Sequence, residues 1–236
     1  AGHVAHGSTG AGNDQVRFDM VFNIMIPGVE IITPIRDLKL SREAEIEYLK
    51  GKGVDMNVEK SMYSINKGLW GTSVGGKETL SSKGMLPEEA WPTQVTKSGQ
   101  ENIELGFVKG ELQTVNGKAF GHPTEAIREL QQIAGPYGIG RDIHVGDTII
   151  GIKGRVGFEA AAPLIILKAH HALEKHVLTK WQLNWKDQLA LFYGNWLHEG
   201  QILDPVMRDM EAFFESTQQN VTGTVFLELA PYRFQV

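Results

Sequence analysis

The sequence contains no cysteine. The absence of thiols excludes disulfide bridges, zinc–thiolate sites and cysteine nucleophiles, and it is compatible with the reducing cytoplasm in which we expect the protein. Long hydrophobic runs are also absent. The longest apolar run, residues 160–167, includes Pro163 and is far shorter than a bilayer-spanning helix requires. We therefore expect no membrane partner.

An excess of positive charge is missing as well. The 23 basic residues are outnumbered by 28 acidic ones, which gives a net charge of −5. This balance argues against a general nucleic-acid-binding protein. Trp181, Trp185 and Trp196 have no interleaved basic residues, so we expect them in a core or a subunit interface and not in base stacking.

A glycine-rich segment near the start of the sequence, HGSTGAGNDQVRF at residues 6–18, is its most informative feature. Gly7, Gly10 and Gly12 allow positive φ and close approach of the backbone to a ligand. Asn13 is a good N-cap and Asp14 suits the first turn of a helix. A glycine loop that runs into a helix N-terminus is a natural anion site, because free backbone N–H groups converge there.

Apolar residues at four-residue steps continue this helix until Pro27 and Gly28 end it. Asn13 and Arg17 lie one turn apart on one face, so an amide and a guanidinium can reach the same ligand. Arg17 is suited to a bidentate contact with a carboxylate or a phosphate.

Two other interpretations compete with a specific ligand site. Gly7 and Gly12 have the spacing of a P-loop, but Asn13-Asp14 stands where that motif requires Lys-Ser/Thr. The second alternative is a plain turn capped by Asn13, with Arg17 solvated. The spacing by itself leaves this alternative open.

Periodicity and turn residues predict secondary structure along the rest of the chain. Strands are expected at residues 29–35, 103–107, 111–115, 143–152 and 221–229, and helices at residues 41–50, 123–134, 163–178, 181–197 and 205–216. Residues 61–100 are expected to form a long functional or disordered loop. His171 and His176 are five residues apart and do not share a helix face, so we expect surface or packing histidines and no metal site.

The segment at residues 6–18 resembles the signature of argininosuccinate synthase, an ATP-dependent ligase that joins citrulline to aspartate. Tyr63-Ser64-Ile65-Asn66, followed by Ser73, resembles the second motif of that family. The segments GIGR at residues 138–141 and IGIKGR at residues 150–155 resemble later family segments. The resemblance covers most of the chain, is strongest at residues 5–18 and weakens after residue 160.

The resemblance implies an α+β fold in which a mixed or antiparallel sheet packs with long helices. Residues 1–236 would form the synthetase domain, which binds citrulline and aspartate. An upstream nucleotide-binding domain would be missing, because no segment matches the family's Ser-Gly-Gly-Leu-Asp-Thr-Ser pyrophosphate loop. The family is cytoplasmic and homotetrameric and acts in arginine biosynthesis and the urea cycle. Because the pyrophosphate loop is not found in them, we expect the 236 residues by themselves to be inactive.

The resemblance also implies ligands for individual residues. Aspartate would be held by Thr9, Asn13 and Asp14. Citrulline would be held by Asn13, Arg17, Ser64, Ser73 and Asp147. ATP, as a substrate with Mg²⁺, would be held by His6, Gly7, Ser8, Thr9, Gly10 and Gly12. No residue is expected to act as a catalytic acid, base or nucleophile, because substrate alignment and charge stabilisation would supply most of the rate.

Three positions depart from the family pattern. Ala11 replaces a lysine, Gly146 replaces the citrulline-binding glutamate beside Asp147, and Phe158 replaces the citrulline-binding tyrosine. These departures are typical of a divergent subgroup or of a ligase for another amino-acid substrate. A third alternative is a binding or oligomerisation module without chemistry.

Overall fold

The computed structural model describes residues 2–54 and 63–236. Two compact units are distinguished. Within the described ranges, unit 1 comprises residues 2–54, 145–154 and 191–207, and unit 2 comprises residues 63–144, 155–190 and 208–236. Helices alternate with antiparallel sheets, which confirms the α+β class. No helix in the described residues combines the length and apolar character that crossing a membrane requires.

The elements are numbered in chain order. The first ones are β1 (His3–Ala5), α1 (Asp14–Met25), β2 (Glu30–Ile32), α2 (Pro34–Asp37) and α3 (Arg42–Gly51). They are followed by β3 (Ser64–Gly68), β4 (Gly71–Gly75), β5 (Glu101–Val108), β6 (Glu111–Val115), β7 (Lys118–Ala119), α4 (Pro123–Ala134), β8 (Arg141–Asp147) and β9 (Lys153–Glu159). The last ones are α5 (Ala161–Val177), α6 (Lys180–His198), α7 (Pro205–Gln218), β10 (Gly223–Ala230) and β11 (Arg233–Gln235).

The main core of unit 2 lies under an antiparallel sheet with the strand order β11-β10-β5-β6-β7. Along β5 the side chains of Ile103, Leu105 and Phe107 are buried in alternation with more exposed neighbours. This period of two confirms the strand predicted at residues 103–107, which pairs with β6 in an antiparallel hairpin whose turn contains Lys109 and Gly110 at positive φ. Helices α4 and α5 pack on the inner face and close the core.

A second sheet in the described residues has the order β3-β4-β9-β8. It corrects two predictions. Residues 64–75 form a β-hairpin where a long loop was expected; residues 61 and 62 of that loop lie outside the described residues. The strand expected at residues 143–152 ends at Asp147, because the amide of Thr148 bonds to the carbonyl of Ile152 and Gly151 adopts positive φ. The chain then returns as β9.

Unit 1 is held together differently. Its strands β1 and β2 pair in parallel, and Ser41 caps α3 by accepting the amide of Ala44. The strand expected at residues 29–35 is shorter, because Pro34 begins α2. Among the described residues of unit 1, those buried as whole residues are Gln15, Thr33 and Met207, and the side chain of His6 is 6% exposed. Hydrogen bonds and ion pairs between polar side chains therefore contribute much of the stability of this unit.

The long helices form as predicted, but the tryptophans of α6 are not in a core. Trp181 is 65% exposed and Trp185 is 56% exposed. The expectation that these side chains lie in a core is therefore wrong for Trp181 and for Trp185. A subunit interface stays a prediction.

A buried polar cluster joins α5, α6 and α7 in unit 2. The Glu174 carboxylate is fully buried and accepts from Lys186 Nζ at 2.6 Å and from Gln218 Nε2 at 2.8 Å. His170 Nε2 donates to Gln218 Oε1 at 2.9 Å, so this histidine packs in the cluster. Burial by itself would lower the pKa of Lys186, but the carboxylates of Glu174 and Asp187 outweigh it and the pKa lies above its ordinary value.

Replacing Glu174 with alanine should destabilise the protein strongly. The ammonium of Lys186 would lose its buried partner, and breaking such a pair costs about 3–5 kcal/mol of unfolding free energy. Glu215→Ala, at an exposed position on α7, is the control and should stay within about 0.5 kcal/mol of wild type. Urea denaturation measures both variants. Equal losses in the two would contradict the assigned role of Glu174.

Candidate functional site

The glycine-rich loop of unit 1 leads from β1 into the N-terminus of α1, as the sequence predicts. At its start, the amide of His6 donates to the carbonyl of Ile32 on β2. At its end, the side chain of Gln15 donates to the carbonyl of Gly10 at 2.5 Å. Both ends of the loop are therefore fixed by hydrogen bonds to neighbouring elements.

Under the loop lies an ionic triad. Asp19 on α1 accepts from Arg36 Nη1 at 2.5 Å and lies 3.1 Å from His6 Nε2. The amide of Ser8 donates to His6 Nδ1, so the ring proton is on Nε2 and points to Asp19. The imidazole of His6 is thus directed into the protein, and its backbone amide is used by Ile32, so a nucleotide contact at His6 stays a prediction.

The pKa of the Asp19 carboxylate is shifted by its partners. Burial raises the pKa of Asp19, but the hydrogen bonds from Arg36 and His6 and the charge of Arg36 outweigh burial, so the pKa lies below its usual value. The ionised carboxylate therefore stabilises the base of the loop at neutral pH.

Asn13 does not cap α1 with its side chain, and that part of the prediction is wrong. Its Oδ1 accepts the amide of Ile149 at 2.8 Å, in the turn between β8 and β9. The backbone carbonyl of Asn13 accepts from Val16 and Arg17. Because the side-chain oxygen is used elsewhere, no capping side chain occupies the amides of Asp14 and Gln15 in the first turn of α1, and an anion site requires such amides.

Arg17 and Asp14 lie one turn apart on α1, and the guanidinium is not simply solvated. Its Nη1 donates to Asp14 Oδ1 at 3.2 Å, and its Nε donates to the carbonyl of His198 at 2.8 Å. The plain-turn alternative with a solvated arginine is therefore wrong. His198, at the end of α6, is a residue that periodicity could not connect to this site.

The remaining loop residues lie close together. Thr9, Gly10 and Asp14 are exposed, whereas Ser8 and Gly12 are partly buried. A Cβ atom at Gly12 would lie 3.6 Å from the hydroxyl of Thr9, so the two residues face each other across the turn. The hydroxyl of Thr9 and the carboxylate of Asp14 thus border the open side of the loop.

Asp147, the predicted substitute for the family glutamate, lies in unit 1 at the β8–β9 turn. Its Oδ1 accepts from Lys153 Nζ at 2.5 Å, and both side chains are more than half exposed. An exposed pair of this kind contributes little net stability, so Asp147 can exchange its partner at low cost.

Ser64 and Ser73 lie in unit 2 on the β3–β4 hairpin. Ser73 pairs in register with Asn66, and Asn66 Nδ2 donates to Ser73 Oγ at 3.4 Å. Ser64 is two residues before Asn66, so its side chain faces the same side of the sheet. The other side carries Val74, which is fully buried in a second apolar cluster. The two serines therefore share one open sheet face.

Phe158 and His144 continue that face. Phe158 pairs in register with Ser73, and its ring meets the imidazole of His144 edge-on at a centroid distance of 5.6 Å. The ring of Phe158 lies over Gly71, where φ is +141° and a side chain would overlap the ring. Sequence reasoning missed His144 and Asn66. Asn66 alternates with Ser64 along β3, and this alternation is a signal that could have assigned it to the same face. His144 lies on β8, which contains neither serine, and alternation with the serines could not have found it.

The described residues contain no group of three or more His, Cys, Asp or Glu side chains placed to hold a metal ion. The fold and the site define an α+β protein with a glycine loop at a helix N-terminus, bordered by groups that suit an anionic or zwitterionic ligand.

Comparison with known proteins gives the family. The family model "Arginosuccinate synthase C-terminal domain" matches residues 63–234, and "Arginosuccinate synthase N-terminal HUP domain" matches residues 1–55. The chain belongs to the argininosuccinate synthase family.

Curated relatives agree along nearly the whole chain. An argininosuccinate synthase of Methanocaldococcus jannaschii is 42% identical over 96% of this chain and 58% of its own length. One of Dictyoglomus thermophilum is 39% identical over 100% of this chain and 60% of its own length. One of Xanthomonas campestris is 37% identical over 95% and 58%, respectively. The chain thus spans about three fifths of the length of these relatives.

Asp19→Asn should loosen the glycine loop at neutral pH by removing the charged acceptor of Arg36 and His6. Because the folded pKa is depressed, this stabilisation exists above the ordinary carboxyl pKa of about 4 and disappears as pH falls below it. The expected cost is about 1–3 kcal/mol at pH 7. Amide hydrogen exchange of residues 7–12 should be faster in the variant at pH 7.

The exposed Asp209→Asn on α7 is the matched control and should leave loop exchange unchanged. Loop exchange that is the same in wild type and Asp19→Asn at pH 7 would refute the role of this triad.

Proposed function

We propose that this chain serves an argininosuccinate synthase, an ATP-dependent ligase of arginine biosynthesis that condenses citrulline with aspartate and releases AMP and pyrophosphate. The observation that carries the proposal is the contiguous family signature at residues 6–18, folded as a glycine loop against an open helix N-terminus. Family membership and the curated relatives support it. We propose a cytoplasmic location.

In the proposed reaction, the ureido oxygen of citrulline attacks the α-phosphorus of ATP. The bond from that phosphorus to the pyrophosphate oxygen breaks, which gives citrullyl-adenylate. The amine of aspartate then attacks the ureido carbon, AMP leaves, and the nitrogen loses a proton. These steps depend on alignment and charge stabilisation more than on a protein acid or base.

ATP is assigned to the loop residues His6, Gly7, Ser8, Thr9, Gly10 and Gly12, which lead into the N-terminus of α1. Those amides suit a phosphate oxygen. Mg²⁺ would arrive with the nucleotide and be held chiefly by its phosphates, as is usual for this ion. No protein ligand set for Mg²⁺ is assigned.

Aspartate is assigned to Thr9, Asn13 and Asp14. The Thr9 hydroxyl and the Asn13 amide nitrogen can donate to carboxylate oxygens, and the Asp14 carboxylate can accept from the ammonium group. The bond from Ile149 uses Asn13 Oδ1 and leaves the Nδ2 donors for this ligand. The side chain of Asp14 is 66% exposed and accessible.

The citrulline assignment includes residues of unit 1 and residues of unit 2. In unit 1, the donors are Asn13 and Arg17, with the Asp147 carboxylate as an acceptor. In unit 2, Ser64 and Ser73 present hydroxyls on one sheet face. Phe158 offers an aromatic surface without the hydroxyl of the family tyrosine, so the hydroxyls of that face carry more of the polar recognition.

We also propose a homotetramer. Trp181, Trp185 and Phe192 on α6 are each more than half exposed, and large apolar side chains in such numbers are typical of an interface between subunits.

Calorimetric titration of the purified protein tests the substrate assignment. Arg17→Ala should weaken citrulline binding about 10- to 100-fold, because a charge-assisted hydrogen bond is lost, and should leave aspartate binding unchanged. Arg233→Ala, which removes an exposed guanidinium on β11, is the matched control and should bind citrulline like wild type. A wild type that binds another amino acid but no citrulline would favour a diverged ligase.

The 236 residues assayed by themselves with ATP, citrulline and aspartate should form no argininosuccinate, because they contain no match to the family's pyrophosphate loop. Mass spectrometry of the product detects turnover. Argininosuccinate above the enzyme-free control would contradict this expectation. Binding of both amino acids that persists without turnover, after a domain with that loop is supplied, would favour the module without chemistry.

A further inference from the structure

The C-terminus of α6 contains a complete Schellman motif in unit 1. The amide of Gly200 donates to the carbonyl of Leu197 at 3.1 Å, and the amide of Gln201 donates to that of Trp196 at 2.9 Å. Gly200 has φ of +82°, as the motif requires. These two bonds satisfy two of the last carbonyls of the helix and do not use the carbonyl of His198.

Arg17 donates two hydrogen bonds to the carbonyl of His198. Its Nε lies 2.8 Å and its Nη2 2.6 Å from the His198 oxygen. The second Nη2 hydrogen faces His198 Nδ1 at 3.2 Å, and this nitrogen accepts when the ring proton is on Nε2. A cation at the C-terminal end of a helix is also favoured by the helix dipole. One edge of the guanidinium is therefore held by α6.

The other edge of the guanidinium is held weakly. Nη1 donates to Asp14 at 3.2 Å, in an exposed ion pair of a kind that contributes little net stability. Of the five N–H donors of the guanidinium, one Nη1 hydrogen has no partner among the described residues. A ligand carboxylate can replace Asp14 at Nη1 while the His198 contacts remain.

We propose that the end of α6 is the positioning element for Arg17. The carbonyl of His198 fixes the Nε–Nη2 edge, so that the Nη1 edge is presented to the carboxylate of the amino-acid substrate and Asp14 is its exchangeable partner. This inference rests on the proposed function for the identity of the substrate. His198 and Gly200 act through Arg17 and are positioning residues that do not touch the ligand.

Gly200 sets the distance between the two elements. A Cβ atom there would lie 3.0 Å from both Arg17 Cγ and Met20 Cε, closer than an ordinary van der Waals contact. A side chain at residue 200 must therefore displace the stem of Arg17 and the end of Met20 by a few tenths of an ångström. Gly194, in the same helix, has nothing within 4 Å of its Cβ position and provides a matched control.

The test is a double-mutant cycle on the dissociation constant for citrulline. Gly200→Ala should weaken citrulline binding about tenfold in the wild-type background and should have no further effect in the Arg17→Ala background. The dissociation constant for aspartate should not change. Gly194→Ala should leave both constants unchanged. His198→Ala keeps the carbonyl and should weaken citrulline binding less than Gly200→Ala does.

Gly200→Asn separates the effect of the added Cβ atom from the strain of the backbone at positive φ. Asparagine tolerates the left-handed region better than alanine and still adds the Cβ atom. If Gly200→Ala fails to fold, Gly200→Asn is judged by the same cycle. Nitrogen-15 NMR of the Arg17 Nε–H gives a readout that needs no substrate: this hydrogen should exchange slowly in wild type and quickly in the residue-200 variants.

The outcomes separate the two proposals. Slow exchange at Arg17 Nε without any citrulline binding would leave the anchoring intact and overturn the proposed substrate. Citrulline binding that weakens equally in both backgrounds, or is unchanged in a folded residue-200 variant, would overturn the positioning role of α6. Fast exchange of the Arg17 Nε hydrogen in wild type would overturn it too.

Discussion

A continuous chain of hydrogen bonds beneath the glycine-rich loop is the constraint on which unit 1 depends. It runs from the carbonyl of Gly10 through Gln15 and Arg36 to the carboxylate of Asp19, and from there to His6. Very few side chains of this unit are buried, so apolar packing contributes less here than in unit 2. The polar chain therefore determines the shape of the loop that carries the family signature.

Hydrogen bonds of polar side chains also connect α1 to its neighbouring elements. Asn13 gives its side-chain oxygen to Ile149, and Arg17 gives two of its donors to His198. Each contact satisfies a backbone group left over by a turn or a helix end, and each fixes a residue assigned to substrate. The contacts that hold the unit together and the groups proposed for recognition belong to the same side chains.

Unit 2 follows the more common rule, in which alternation along strands separates a buried face from an open one. Leu105 and Val74 mark the buried faces of the two sheets, while Ser73 and Phe158 mark the open face of the smaller one. A rigid apolar core behind the sheet keeps the open side chains in fixed register. Phe158 gives this face an aromatic ring that has no hydroxyl.

The sequence by itself determined the local elements and the family. Periodicity located α4 and the β5–β6 hairpin, and the contiguous motif at residues 6–18 identified the loop. Only the tertiary structure decided the partners of Asn13 and Arg17, because Ile149 and His198 lie 136 and 181 residues away along the chain. Local propensity favoured a capping role for Asn13, and the β8–β9 turn offered its side chain a different donor. Such long-range partners leave no periodic signal in the sequence, so their effect becomes visible when the chain is folded.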